Sequence, residues 1–282
     1  MLTEIKAYSS WRSAPSLPLS ENGRAESDLI QVRNITGLDP VKASVNTTPY
    51  GAIDGASFTG SSVTTRNIVL TLGLNPDWNT WTYELLRSLL YSYFMPKRAT
   101  RLIFYREEKA PVEIRGIVES AEVNMFSKDP EFNVSIVCPD PYFTSTEETI
   151  VRGHSIRAGG TPVIFDYEGS VETGIYLNVK EFATPAPTDI SVVIGDPPTS
   201  RFSTYATVSA TKYFELNSTP LQKFVQNVDM GSGIITNLLS KVHIQEGSLW
   251  PVLQPGEVEF SVVTDQGDQE WELVYFERFG GL

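Results

Sequence analysis

Cysteine, histidine and basic side chains are all scarce in this chain. A single cysteine, Cys138, excludes an intrachain disulfide framework and a cysteine zinc cluster. The two histidines, His154 and His243, form no H-x-x-x-H or Cys/His grouping, so no metal site and no cofactor is expected. Lys and Arg number 22 against 34 Asp and Glu, a net charge of −12, which argues against a protein whose task is to grip nucleic acid. No stretch approaches the ~20 apolar residues of a membrane-crossing helix, and MLTEIKAYSSWRSAP lacks the basic start and apolar run of a signal peptide. The expectation is a soluble chain, made in the cytoplasm, with no membrane insertion. There is no G-x-S-x-G elbow, and Gly231-Ser232-Gly233 lacks the rest of a phosphate loop.

What is present is ample apolar chain. With 282 residues, 41% of them hydrophobic, two domains are favoured over one. Pro139-Asp140-Pro141 closes an apolar strand and Thr144 to Glu148 reads as polar linker, which sets domains at 1–145 and 146–282. Charge divides unevenly at that point: 14 basic and 16 acidic residues up to Ser145, 8 and 18 beyond it, or −2 against −10.

Period-2 alternation dominates. Ile68, Leu70, Leu72 and Leu74 share one face of a strand, and Phe132, Val134 and Ile136 share another; Cys138 continues the second set as a core residue. From Val112 to Phe126 the apolar register shifts across Arg115-Gly116, which predicts a bulge at Gly116. One segment follows a helical period: Trp81, Leu85, Leu86, Leu89, Leu90 and Phe94 make an amphipathic stripe over 79–94, capped by Asn79 or Thr80 and stopped by Pro96. The first half therefore reads as a β-sandwich-like domain with one packed helix.

Beyond residue 145, Val163/Phe165/Tyr167, Ile175/Leu177/Val179, Ile190/Val192/Ile194, Val258/Phe260/Val262 and Trp271/Leu273/Tyr275 predict an antiparallel β-sandwich, with a short helix near Ile234–Leu239. Pro255 and Gly256 fit the middle of a type II turn. Glu257/Glu259 and Glu270/Glu272 are the pairs a glycosidase could use, yet they alternate with inward apolar residues and read as the solvated side of a sheet. No catalytic residue is assigned. Trp78, Trp81 and Trp271 are expected in cores, whereas Trp11 and Trp250, in turn-rich surroundings, are the interface candidates. Residues 9–28 and 49–65, rich in Ser, Gly, Pro and Thr, read as long polar loops.

Several stretches resemble, in order, one family. Gly116-Ile-Val-Glu-Ser-Ala-Glu-Val-Asn-Met-Phe-Ser-Lys128, then Ser135-Ile-Val-Cys138-Pro139-Asp140-Pro141-Tyr142-Phe143, resemble the end of the N-terminal domain in distal tail proteins of long-tailed, non-contractile bacteriophages. Arg66-Asn-Ile-Val-Leu-Thr-Leu72, Phe94-Met-Pro-Lys-Arg98, Trp250-Pro-Val-Leu-Gln-Pro255-Gly256 and Phe279-Gly-Gly-Leu282 agree with it. The resemblance implies a hexameric ring joining the tail tube protein to a tail-tip or baseplate hub protein. It also implies possible contact with a receptor-binding protein, DNA passing only as cargo, residence in the virion, and a galectin-like C-terminal sandwich. Arg66, Cys138 to Phe143, Trp250, Pro255 and Gly256 are the assembly residues it marks. The competing reading is a carbohydrate-binding tail adhesin using the C-terminal sandwich.

Overall fold

In a computed structural model the chain is mainly β. The structure describes residues 2–9, 16–21, 29–51, 53–77, 79–124, 129–180, 189–195, 198–205, 212–265 and 268–282. They form two compact units, Met1–Thr146 with Phe279–Leu282, and Glu147–Arg278. The last four residues thus belong with the first unit and not with the half that precedes them in sequence.

The first unit contains β1 (Leu2–Ser9), β2 (Leu17–Glu21), β3 (Ile30–Thr36), β4 (Ala43–Pro49), β5 (Ala56–Val63), β6 (Arg66–Leu74), α1 (Tyr83–Tyr93), β7 (Ala99–Arg106), β8 (Lys109–Val123), β9 (Glu131–Cys138) and β10 (Phe143–Ser145). Nine strands share a sheet in the order β24-β10-β8-β7-β1-β2-β3-β6-β9, where β24 is Arg278–Phe279 near the C-terminus. The long strand β8 also pairs with β9, so the circuit from β8 through β7, β1, β2, β3, β6 and β9 returns to its start. Closure removes two sheet edges and gives one enclosed face. The alternating residues of β6 and β9 fill that face: Ile68, Leu70, Leu72, Phe132, Val134, Ile136 and Cys138 are fully buried. Each aliphatic or aromatic side chain so placed contributes about 1.5–3 kcal/mol relative to exposure.

Three local expectations are corrected here. Gly116 stays in regular register, opposite Thr100, and the irregularity lies between Val118 and Ser120. The even-numbered residues from Val112 to Val118 all face inward and Ile117 is exposed. A Cβ at Gly116 would sit 2.5 Å from Ile136 Cγ2 and 2.8 Å from Cys138 Sγ, so glycine permits close packing where a bulge was expected. The helix begins later than the apolar stripe: Thr82 is its cap, its hydroxyl accepting from Leu85 N at 3.4 Å, because the carbonyl of Asp77 takes the amides of Thr80 and Trp81 in a preceding turn. Leu86, Leu90, Tyr93 and Phe94 are buried, and Leu85 is exposed. Finally, Phe143–Ser145 is a strand pairing with β8, so the polar stretch that reads as linker begins only after it.

The second unit runs β11 (Thr149–His154), β12 (Val163–Tyr167), β13 (Thr173–Gly174), β14 (Tyr176–Lys180), β15 (Asp189–Ile194), β16 (Ser200–Tyr205), β17 (Lys212–Asn217), β18 (Phe224–Asp229), β19 (Ile234–Asn237), β20 (Val242–Glu246), β21 (Val252–Leu253), β22 (Gly256–Thr264) and β23 (Glu270–Tyr275). A six-stranded sheet, β11-β23-β14-β17-β18-β19, and a five-stranded one, β12-β22-β15-β16-β20, are antiparallel throughout. Leu177, Val179, Phe214, Leu216, Trp271 and Leu273 from one meet Ile190, Val192, Phe202, Phe260 and Val262 from the other in a single core. The Phe260 and Trp271 rings pack 5.0 Å apart, steeply tilted, in the sandwich arrangement that alternation predicts. The helix expected at Ile234–Leu239 is instead strand β19 followed by a short 3-10 turn, Leu239–Lys241. Ile234 and Ile235 are both exposed there, on a strand at the edge of its sheet.

Candidate functional site

Arg66 opens β6 and is 2% exposed. No carboxylate bonds to its guanidinium among the described residues. Its Nε donates to Pro141 O at 2.6 Å, Nη1 to Gly37 O at 2.5 Å and Asp39 O at 2.8 Å, and Nη2 to Gly280 O at 2.5 Å. The guanidinium carbon lies 4.5 Å from the centre of the Phe143 ring. A buried charge is tolerable only when its donors are satisfied, and here four carbonyl dipoles do so. Burial pulls the Arg66 pKa below its ordinary value, while Cys138, Asp39 and Tyr142 act to raise it.

The residues singled out in sequence fall into two groups. Cys138 through Phe143 surround the Arg66 node. Cys138 is fully buried, and burial raises its thiol to about 11, with Arg66 opposing, so it acts as a packing residue. Pro139 and Asp140 are exposed; the Asp140 carboxylate accepts from Tyr142 N at 3.2 Å and holds the turn that aims the Pro141 carbonyl inward. Phe143 is fully buried and meets Phe104 edge to face at 5.6 Å. Trp250, Pro255 and Gly256 lie in the second unit. Trp250 is half-buried against that unit's core, with Lys223 Nζ 5.6 Å from its ring centre, which makes it a weaker interface candidate than its surroundings suggest. Gly256 has φ +103°, as the turn requires. Trp11 and Trp78 lie outside the described residues.

Two participants were not singled out as site residues. The turn Gly37–Pro40 supplies two of the four carbonyls. Gly37 adopts φ +87°, and a Cβ there would fall 2.0 Å from Asn67 O, so glycine is required. The C-terminal residues complete the node: besides the Gly280 carbonyl, Leu282 N donates to Leu38 O at 3.1 Å and Leu282 packs on the first core. Three stretches that carry the family resemblance, at Arg66, at Cys138 to Phe143 and at the C-terminus, are therefore gathered at one point of the first unit.

The second notable feature is the ribbon β4–β5. Its strands pair only with each other, from Ala43 opposite Val63 to Pro49 opposite Ala56. None of its residues is buried, and Val45 and Phe58 along it, with Tyr50 and Ile53 at its tip, are 59, 66, 53 and 75% exposed. The stretch 49–65 that reads as polar loop is thus largely strand. Of the stretch 9–28, residues 17–21 are strand and most of the rest lies outside the described residues.

The carboxylate pairs sit as solvated sheet faces do: Glu257 and Glu270 are exposed, Glu259 and Glu272 half-buried, and Glu272 accepts from Arg152 Nε at 2.8 Å. His154 Nδ1 lies 3.1 Å from Asp268 Oδ1, both well exposed. Among the described residues no group of His, Cys, Asp or Glu is arranged to hold a metal ion, and no helix is long and apolar enough to cross a membrane.

Residues 21–138 match the phage tail protein RIFT-related domain family. No curated protein matches the chain. Among solved structures, the Dit (gp 19.1) protein of phage SPP1, described as a paradigm of the hub adsorption apparatus in phages infecting Gram-positive bacteria, is similar at 14% identity and a TM-score of 0.63, over 89% of this chain and 94% of that one. A chain of the phage P2 baseplate in its activated conformation with Ca aligns at 12% identity and a TM-score of 0.43, over 97% of this chain and 98% of that one. The family match over residues 21–138 thus falls within the first unit, where the stretches at Arg66 and at Cys138 to Phe143 that resemble distal tail proteins also lie, and the fold is similar to that of the SPP1 Dit protein.

Proposed function

We propose that the chain is a distal tail protein that closes into a hexameric ring between the tail tube and the baseplate or tail tip, with DNA passing through the centre. The observation that carries this reading is the β4–β5 ribbon, which has no buried residue and exposes Val45, Tyr50, Ile53 and Phe58. A lone two-stranded ribbon is at best marginally stable in water, so its apolar side chains call for a surface to cover them. A neighbouring copy supplies one: a contact of ribbon to a different patch is heterologous, and heterologous contacts close into rings when the rotation allows. The similarity to a hub protein of phage SPP1 fits the same role.

In that setting the tail tube protein binds one face of the ring and a tail-tip hub or receptor-binding protein the other, and the ring resides in the virion after assembly in the host cytoplasm. A wall past which DNA slides needs few fixed cations, since each phosphate contact would slow passage; with the first half at −2 and the surplus acid beyond Ser145, that rests on local placement of Asp and Glu rather than on the net charge of −12. The role needs no catalytic residue.

The test is native mass spectrometry of the full chain and of a variant lacking residues 51–62. The full chain is expected as hexamers and the variant as monomers that keep a cooperative thermal transition. Hexamers that persist in the variant, or a full chain that stays monomeric at high concentration, overturn the proposal.

A further inference from the structure

The outward face of the six-stranded sheet carries a polar cleft. Three neighbouring strands build it. Arg152 and His154 come from β11, Glu272 and Glu270 from β23, Asn178 and Lys180 from β14, and strand register sets them in two rows: Arg152 opposite Glu272 opposite Asn178, and His154 opposite Glu270 opposite Lys180. With ~4.8 Å between strands and ~6.8 Å between alternate residues, the grid measures about 10 by 7 Å. The cleft over it has a volume of about 290 Å³.

A sheet face that is only solvated leaves its polar atoms wet. Here Asn178 Oδ1, an acceptor on a lining residue, is shut from solvent with no hydrogen-bond partner. Such an atom carries a standing cost that a bound polar group relieves. The charges nearly cancel, with Arg152 and Lys180 set against Glu270 and Glu272, so a strongly anionic or cationic ligand meets repulsion as well as attraction. Arg152 is already fixed by Glu272 at 2.8 Å, and His154 by Asp268 at 3.1 Å, so part of the rim is ordered in advance. Donors and acceptors alternate along both rows. Hydroxyl groups, which donate and accept at once, match that alternation better than any ion, and the grid has the dimensions of one or two sugar rings.

We propose that this cleft binds a neutral saccharide through Asn178, Lys180, Glu270 and the Arg152–Glu272 pair. The site lies wholly in the second unit, so its failure is read separately from that of the ring. The experiment is ligand-observed NMR on the full chain with methyl β-glucopyranoside, maltose, lactose and N,N′-diacetylchitobiose, and with inorganic phosphate as the anionic arm. At least one saccharide is expected to bind with a dissociation constant on the order of 1 mM. Asn178→Ala and Lys180→Met should each weaken it about tenfold, with melting temperature unchanged for the exposed Lys180 position. The proposal is overturned if no saccharide binds up to ~20 mM, if phosphate binds and the saccharides do not, or if both variants bind as the parent chain does.

Discussion

The two units solve the problem of sheet edges in different ways. The second stacks two sheets, leaves β11, β19, β12 and β20 as edges, and buries its core with alternate residues of neighbouring strands. In the first, a single sheet curls until β8 meets β9, and its chain ends are then tied by a cation that reaches from β6 to Gly280, 214 residues away. Charge follows the same division. The near-neutral first half forms ion pairs, as in Arg33 with Glu131 at 3.0 Å and the exposed Arg115 with the buried Glu113 at 3.0 Å, whereas the surplus of acid lies beyond Ser145. Both units rest on contacts between distant segments; the first adds a buried arginine that ties four backbone carbonyls, whereas the second joins its first and last strands, β11 and β23, by sheet pairing.

That contrast can be broken first at Arg66. In Arg66→Met the four carbonyls lose a charged donor, and the first unit should lose about 4 kcal/mol while the second keeps its transition; calorimetry showing both transitions shifted together would end the distinction. Removing Gly280 to Leu282 takes one of those carbonyls, the bond from Leu282 to Leu38 and the packing of Leu282. A loss of about 2 kcal/mol, again confined to the first unit, is expected in urea denaturation. Gly116→Ala forces a Cβ against Ile136 and Cys138, and should cost ~1–2 kcal/mol by the same measurement, since the neighbours have to give. Thr82→Ala removes the helix cap, for about 1 kcal/mol. If Thr82→Ala proved as costly as Arg66→Met, the ranking of long-range over local ties would be wrong for this fold.

The alternating strands were legible because a half-buried sheet writes its period directly into the chain, as Ile68 to Leu74 and Trp271 to Tyr275 do. What was not legible depends on groups that side-chain pattern does not encode. The Arg66 node is held by backbone carbonyls, and nothing in the spelling of Gly37 to Pro40 announces that an arginine 29 positions on will reach them. Gly116 reads equally as a bulge or as a close approach until its opposite neighbours, Ile136 and Cys138, are known. Ile234 to Leu239 has too few residues for its period to separate helix from strand. The ribbon β4–β5 escaped notice because both its faces are exposed and the usual alternation has nothing to record. The cleft on the second unit required register: Arg152, Asn178 and Glu272 are far apart in sequence and become neighbours only across three strands.

The return of the chain to the first unit has a consequence for modularity. Strands β10 and β24, which lead out of the curled sheet and back into it, are hydrogen-bonded neighbours at its edge. The polypeptide between them is therefore a cassette whose two ends are already side by side. A graft of different length or shape could replace residues 147–278 without altering the closed circuit, provided its termini meet the same spacing.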